Sequence, residues 1–388
     1  MLKCASLYTR EMDDTAAACG EILSQLGEKL TLQANTIGIV TCHSEFILSG
    51  ALKAICDALP FDTVGMTTAS LAASGVTDEL ILSVFVITSD DVSFKTGRTG
   101  GLRSDTLEKT RSAYESVKSD AAPALILAFA PLLQENPGDV YASVWGELLP
   151  QVPVFGSLAI DGSVDFTESR TLYNGEESDD GMAFALCYGN IHPRMFVTAQ
   201  PEDGRVFAGG EVTKADGPFI REINGEPAYN FYEKTGLALD GLATRRVMLT
   251  PFVADLKTRA DYDGVPVMRG FVGFTPEGGA LMRGCVDEGS LFTIASYSAD
   301  NVMDIASKRV ELVNAQTEIN GMLSFSCITS RITLGTEQRR EMELYRDEIN
   351  PEVPFCAAYS GGELCPTSVR DGKAINRFHN YTLITLIL

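Results

Sequence analysis

The chain has 388 residues, 45% of them apolar and 21% charged, with 31 basic and 52 acidic residues giving a formal charge of −21. That is enough for more than one hydrophobic core, and no tract is biased enough to form a disordered tail. An acidic field of this size repels phosphate backbones and anionic lipid heads. The richest basic group, Lys95, Arg98 and Arg103, reads as a solvated loop, so neither nucleic-acid binding nor membrane insertion is expected.

The first residues, 1–14, carry acidic side chains where a secretory leader would carry a basic and then an apolar run. The last, apolar stretch, 381–388, is far shorter than the ~20 residues of a membrane helix. Nine cysteines are scattered without a CxxC pair, which fits reduced thiols and a cytoplasmic location.

Three segments share a strand, helix, strand pattern. The first is TIGIVT at 36–41, a helix with Leu48, Ala51, Leu52, Ile55 and Leu59 on one face, then a strand at 61–67. The second is ALILAFA at 124–130, a helix with Val140, Val144 and Leu148 inward, then VPVFGSLA at 152–159. The third is GMLSFS at 321–326, a helix with Met342, Tyr345 and Ile349, then VPFCAAYS at 353–360. Units of this length predict right-handed parallel crossovers. A β-rich stretch follows each one, at 80–88, 182–198 and 381–388.

Between the second and third units, residues 210–236 contain Asn224-Gly225, which favours a type I′ turn and predicts a hairpin followed by a short helix from Pro227. Further strands are expected at 265–274, 280–285 and 290–296, and a long helix at 300–319. The fold class is α/β, or α+β, with two related sheet-plus-helix domains built from βαβ units and antiparallel hairpins, at 1–209 and 210–388.

No phosphate loop, G-x-G-x-x-G, G-x-S-x-G or H-E-x-x-H motif occurs, and the three histidines, His43, His192 and His379, are far apart, so neither a catalytic set nor a metal site is assigned. The richest constellation lies near the C-terminus. Tyr359-Ser360-Gly361-Gly362-Glu363 follows an apolar strand, and ligands of open α/β sheets bind at the carboxyl ends of strands, where paired glycines let backbone amides come close. Equally, the glycines could serve chain reversal alone.

Phe378-His379-Asn380-Tyr381 enters the last strand, and Cys327 ends its expected neighbour, with Arg331 four residues on, able to fork onto a carboxylate or to pair with Glu337 or Glu341. The matching strand end of the second unit offers Gly156, Ser157 and Asp161. Together these form a candidate ligand site in which Glu363 accepts, Arg331 holds a carboxylate, the glycine amides donate and Tyr359 walls the pocket.

Residues 210–236, 327–331, 355–366 and 378–382 together resemble successive motifs of the FIST family, the F-box and intracellular signal transduction domains of bacterial sensors and some eukaryotic ubiquitin-ligase adaptors. This chain departs in placing three residues, not two, between Cys327 and Arg331. The resemblance implies FIST N-terminal and C-terminal domains and a non-catalytic sensor of a small ligand such as an amino acid. Its output would pass through a separate histidine kinase, cyclase or chemotaxis module. A branch that resembles nitric-oxide sensors implies haem instead, with His43, His192, His379 and the cysteines as the pool of axial ligands. A third reading makes Cys327 a hydrolase nucleophile with His379 as base and Asn380 or Glu363 orienting it.

Overall fold

The computed structural model describes residues 2–133, 136–163, 165–198, 206–235, 252–259, 263–295 and 297–388. It shows an α/β protein in which one topological unit occurs three times. The first unit runs β1 (Lys3–Thr9), α1 (Thr15–Lys29), β2 (Asn35–Cys42), α2 (Glu45–Leu48), α3 (Ala51–Ala58), β3 (Thr63–Thr67), a hairpin of β4 (Leu71–Ala73) and β5 (Val76–Asp78), and β6 (Leu82–Ser89). The second repeats this order with β7 (Val92–Arg98), α4 (Thr106–Val117), β8 (Leu125–Ala130), α5 (Asp139–Leu148) and β9 (Val154–Leu158). Its hairpin is β10 (Thr171–Tyr173) with β11 (Glu176–Ser178), and β12 (Ala183–Gly189) closes it.

The third unit begins with β13 (Arg194–Thr198) and is interrupted by an insertion. The inserted strands are β14 (Val206–Asp216), β15 (Phe219–Ile223), β16 (Glu226–Pro227), β17 (Phe252–Asp255), β18 (Val267–Arg269), β19 (Phe271–Phe274), β20 (Ala280–Met282) and β21 (Leu291–Ala295), with α6 (Ala228–Lys234) among them. The unit then resumes with α7 (Ala299–Asn314), β22 (Met322–Cys327), α8 (Ile328–Leu334), α9 (Arg340–Glu348) and β23 (Phe355–Ser360). It ends in a hairpin of β24 (Glu363–Arg370) and β25 (Lys373–His379), then β26 (Leu383–Ile387).

Each predicted βαβ pair is parallel: β2 with β3, β8 with β9, β22 with β23. Each β-rich stretch supplies the antiparallel neighbour, β6, β12 or β26. The hairpins do not stay at home. The first unit's hairpin extends the third sheet through β4 on β23, the second's extends the first through β10 on β3, and the third's extends the second through β24 on β9. The register repeats as well: Leu71 lies opposite Ala358, Thr171 opposite Met66, and Glu363 opposite Ser157.

The inner faces of the three sheets enclose one core that includes Ile39, Met66, Leu127, Phe155 and Ile384. Phe325 lies inside it, edge-on to Phe129 at 5.9 Å. Fully burying a side chain of this kind contributes about 1.5–3 kcal/mol. Each outer face is covered by its own unit's helices, and the inserted sheet keeps a separate core of Val212, Ile220, Tyr232, Phe252 and Phe292.

The hairpin expected at Asn224-Gly225 is present, with both residues at positive φ (55° and 78°), and α6 starts just after Pro227. Three details differ. The first unit's helix breaks at Gly50 (φ 79°), which leaves Leu48 72% exposed instead of inward. On α5 Val144 is buried as expected and Val140 and Leu148 pack partly buried against the core, but the deepest residues are Tyr141 and Trp145, which the pattern did not single out. The expected strand at 265–274 is split at Gly270 into β18 and β19. The ends of the expected segments 210–236 and 290–296, at Gly236 and Ser296, lie outside the described residues.

Candidate functional site

At their carboxyl ends the three parallel strand pairs run into one another. The amides of Thr67, Leu158 and Tyr359 donate to the carbonyls of Arg170, Gly362 and Ser70 at 2.9, 2.8 and 3.2 Å, each bond joining two units. This convergence brings the two expected half-sites together, with Glu363 opposite Ser157 and Leu364 opposite Gly156.

Glu363 is wholly buried on the inner side. Its Oε1 accepts from Ser360 Oγ at 2.6 Å and its Oε2 from Thr382 Oγ1, while the Cys327 thiol also bonds to the carboxyl. Burial pushes Glu363 up to about 8 despite these donors, so near neutrality it is an acid. Burial, and then the carboxyl beside it, pushes the Cys327 thiol up to about 12. His379, paired across from Glu363, has its Nε2 on Cys365 O at 3.1 Å, and its Nδ1 meets no partner among the described residues. Burial lowers it to about 4, so it is neutral.

The remaining predicted residues are spent on structure. The Gly361 amide donates to Leu158 O at 2.9 Å, and a Cβ on Gly361 would meet Ala159 O and the Leu132 side chain. Gly362, at φ 143°, lies against the Phe378 ring. The glycine pair therefore backs onto a wall and does not open into a cavity. Ser157 Oγ donates to Met66 Sδ at 3.0 Å, and Asp161 accepts from Ser163 N and Ser169 Oγ at 2.5 and 2.9 Å.

Tyr359 turns its hydroxyl to the helix side, donating to Gln338 O at 3.3 Å. Arg331 lies away from the Glu363 cage and forks onto neither Glu337 nor Glu341. Its guanidinium pairs with Glu79 at 3.1 Å, beside the first unit's hairpin. Asn380 Oδ1 accepts from Gly270 N at 3.2 Å, which ties the inserted sheet to the last hairpin.

Two clefts lie on the far side of that wall, where the strand ends meet the inserted sheet. A narrow one of about 50 Å³ is lined by Leu132, Leu158, Met282, Arg283 and Phe378 among others. A wider one of about 270 Å³ adds Arg103, Asp165, Phe166, Ser169 and Arg170. Leu132, Leu133 and Arg283 line both.

Arg269, by contrast, is completely buried and fully used. It donates from Nη2 to Asp139 Oδ1 at 2.8 Å, from Nε to Cys285 O at 3.0 Å, and from Nη1 to Met268 O and Phe378 O at 3.2 and 3.0 Å. The sequence reading missed both arginines. A signal was there: Met268-Arg269-Gly270 and Met282-Arg283-Gly284 each place an arginine at the end of an apolar strand.

The geometry defines an α/β protein with sealed strand ends, a buried carboxyl held by hydroxyl and thiol neighbours, and an open cleft at the junction with an inserted sheet. The chain belongs to the FIST family: residues 36–226 match the FIST N domain and residues 228–366 the FIST C domain. FIST domains are signalling-associated sensor domains. No curated protein matches the chain. Among solved structures, a crystal structure of cyanuric acid hydrolase from A. caulinodans is similar in part. The identity is 10% and the TM-score 0.26, with 49% of this chain and 72% of that chain covered, a likeness too slight to transfer fold or function. No described helix is long and apolar enough to cross a membrane.

Proposed function

We propose that the protein is a cytoplasmic sensor of an amino acid or similarly small polar metabolite. Its ligand sits in the clefts beside the strand ends, and its signal passes to a separate partner such as a histidine kinase, cyclase or chemotaxis module. The observation that carries this reading is the cleft shared by the second unit and the inserted sheet, which puts polar groups of both around one small volume. A guest there would bridge two bodies of the fold, which is how binding energy shifts a conformational equilibrium. Nine free cysteines, seven of them buried, favour a reducing compartment.

The hydrolase reading is poorly supported, because a thiol held near 12 beside an acid is not a nucleophile and His379 bonds to a backbone carbonyl. Haem requires an axial ligand facing a slot for the macrocycle. His379 is sealed within the β24–β25 pair, and neither of the two clefts beside the strand ends is lined by histidine or cysteine, so those clefts offer haem no axial ligand.

A thermal-shift screen of the full chain against amino acids and small metabolites tests the sensor reading. At one hundred times Kd a ligand adds about 2.7 kcal/mol, a shift of a few degrees for a chain of this length. A panel that leaves the melting temperature unmoved throughout would overturn it.

A further inference from the structure

We propose that the Arg283 cleft binds the carboxylate of a small monocarboxylic ligand, with Arg283 as the anchoring residue. This rests on the small-ligand reading above and assigns its chemistry. Arg283 follows β20, and its backbone amide is fixed to Gly270 O at 2.7 Å. Its guanidinium is partly buried, yet among the described residues nothing accepts from it and no carboxylate stands within ion-pair distance. Partial burial thins the hydration of this guanidinium and lowers its preference for the charged form, so a carboxylate entering the cleft would replace the lost hydration with a charge-assisted pair. Arg269, in the same Met-Arg-Gly setting, shows how this fold satisfies such a residue: four bonds, one to a carboxylate.

The other cations of the cleft are already engaged. Arg103 pairs with Asp179 at 3.1 Å, and Arg170 pairs with Glu177 at 3.2 Å while donating to the carbonyls of Thr167 and Ser169. Arg283 therefore supplies the fork that matches a planar carboxylate.

Asp165 restricts the rest of the ligand. Its carboxylate accepts from the hydroxyls of Ser163 and Thr167, both at 3.2 Å, and is in no ion pair among the described residues. One wall thus carries a positive group and another a negative one that do not reach each other. A second acidic group on the ligand would face repulsion from Asp165, whereas an ammonium or hydroxyl would be accepted there. A volume of about 270 Å³ falls at the small end of ligand sites, which suits a compact molecule.

Isothermal titration of the full chain decides this, using L-alanine, propionate, succinate, n-propylamine and inorganic phosphate as probes. The wild type should bind L-alanine or propionate, bind succinate more weakly, and give no heat with n-propylamine. R283A should weaken the carboxylates at least about tenfold, with R283K intermediate and R331A unchanged. Circular dichroism confirms that each variant is folded, and R283K, which keeps the charge, carries the comparison if R283A is not.

Carboxylate affinity that is equal in R283A overturns the assigned anchor and leaves the sensor reading standing. Phosphate binding more tightly than the carboxylates, and lost in R283A, replaces the ligand class. No binding of any carboxylate to the wild type overturns the proposal outright, while the sensor reading is decided by the wider screen.

Discussion

At the scale of single residues, the environment decides what a titratable group can do. Glu363 and Cys327 belong to the constellation that sequence alone makes most suggestive, a carboxylate and a thiol at adjacent strand ends. In the fold both are buried in the central core, and Glu363, held by Ser360, Thr382 and the Cys327 thiol, is in no ion pair among the described residues. Glu341, on α9, is a second buried acid, which burial pushes up to about 7.

These raised values make stability depend on pH in a definite direction. An acid whose folded pKa exceeds its unfolded value near 4.5 keeps its full contribution below that value and loses it as pH rises through the folded pKa. Buried neutral His379, lowered to about 4, works in the opposite direction up to about pH 6.5, so the net fall in wild-type stability from denaturant unfolding should be clearest between about pH 6.5 and 8. In E363Q that decline should become shallower, leaving mainly the part due to Glu341, which ends near 7. An identical slope in E363Q would show that Glu363 is ionised in the folded protein.

At the scale of elements, local patterns set most of the strands and helices, and close approach sets some of their glycines. Gly65 and Gly156 occupy equivalent places in β3 and β9, and a Cβ at either would lie 1.8 Å from the carbonyl oxygen of Val40 or Ala128 on the parallel neighbour. No rotamer relieves that overlap, because both atoms belong to backbone. G156A should destabilise the protein by roughly 3 kcal/mol or more, whereas G20A, where nothing stands within 4 Å on α1, should be neutral or slightly stabilising. Chemical denaturation of the two variants provides the comparison. The Phe378-His379-Asn380-Tyr381 segment teaches the same lesson about elements. It reads in sequence as a ligand motif, but Phe378 O accepts from Arg269, Asn380 accepts from Gly270, and Tyr381 stacks edge-on with Tyr297 at 5.5 Å. The segment is a seam that holds the inserted sheet.

At the scale of the whole molecule, two devices couple the parts. Hairpin exchange ties each sheet to a strand pair from another unit, and the Arg269–Asp139 pair fastens the inserted sheet to α5. Removing one member of that pair leaves the other buried and unpaired, a loss of about 3–5 kcal/mol. D139A should therefore lower the unfolding free energy by that order and expose the inserted sheet to limited proteolysis, while the double variant D139L/R269M should recover much of the loss. A double variant as unstable as the single one would mean that the seam depends on the bonds to Cys285 and Phe378 more than on the charge pair.

The sequence alone determined the three βαβ units, their β-rich partners, the turn at Asn224-Gly225 and the adjacency of Cys327, Ser360 and Glu363. All of these follow from period, turn chemistry and the short reach of a parallel crossover. It could not show that the hairpins change sheets, that Arg331 pairs with Glu79 more than 250 residues away, or that one Met-Arg-Gly arginine finds four acceptors while the other finds none among the described residues. Periodicity records which face of an element is apolar. Which distant partner covers that face, and whether a buried charge finds one, is decided only when the sheets close around a common core.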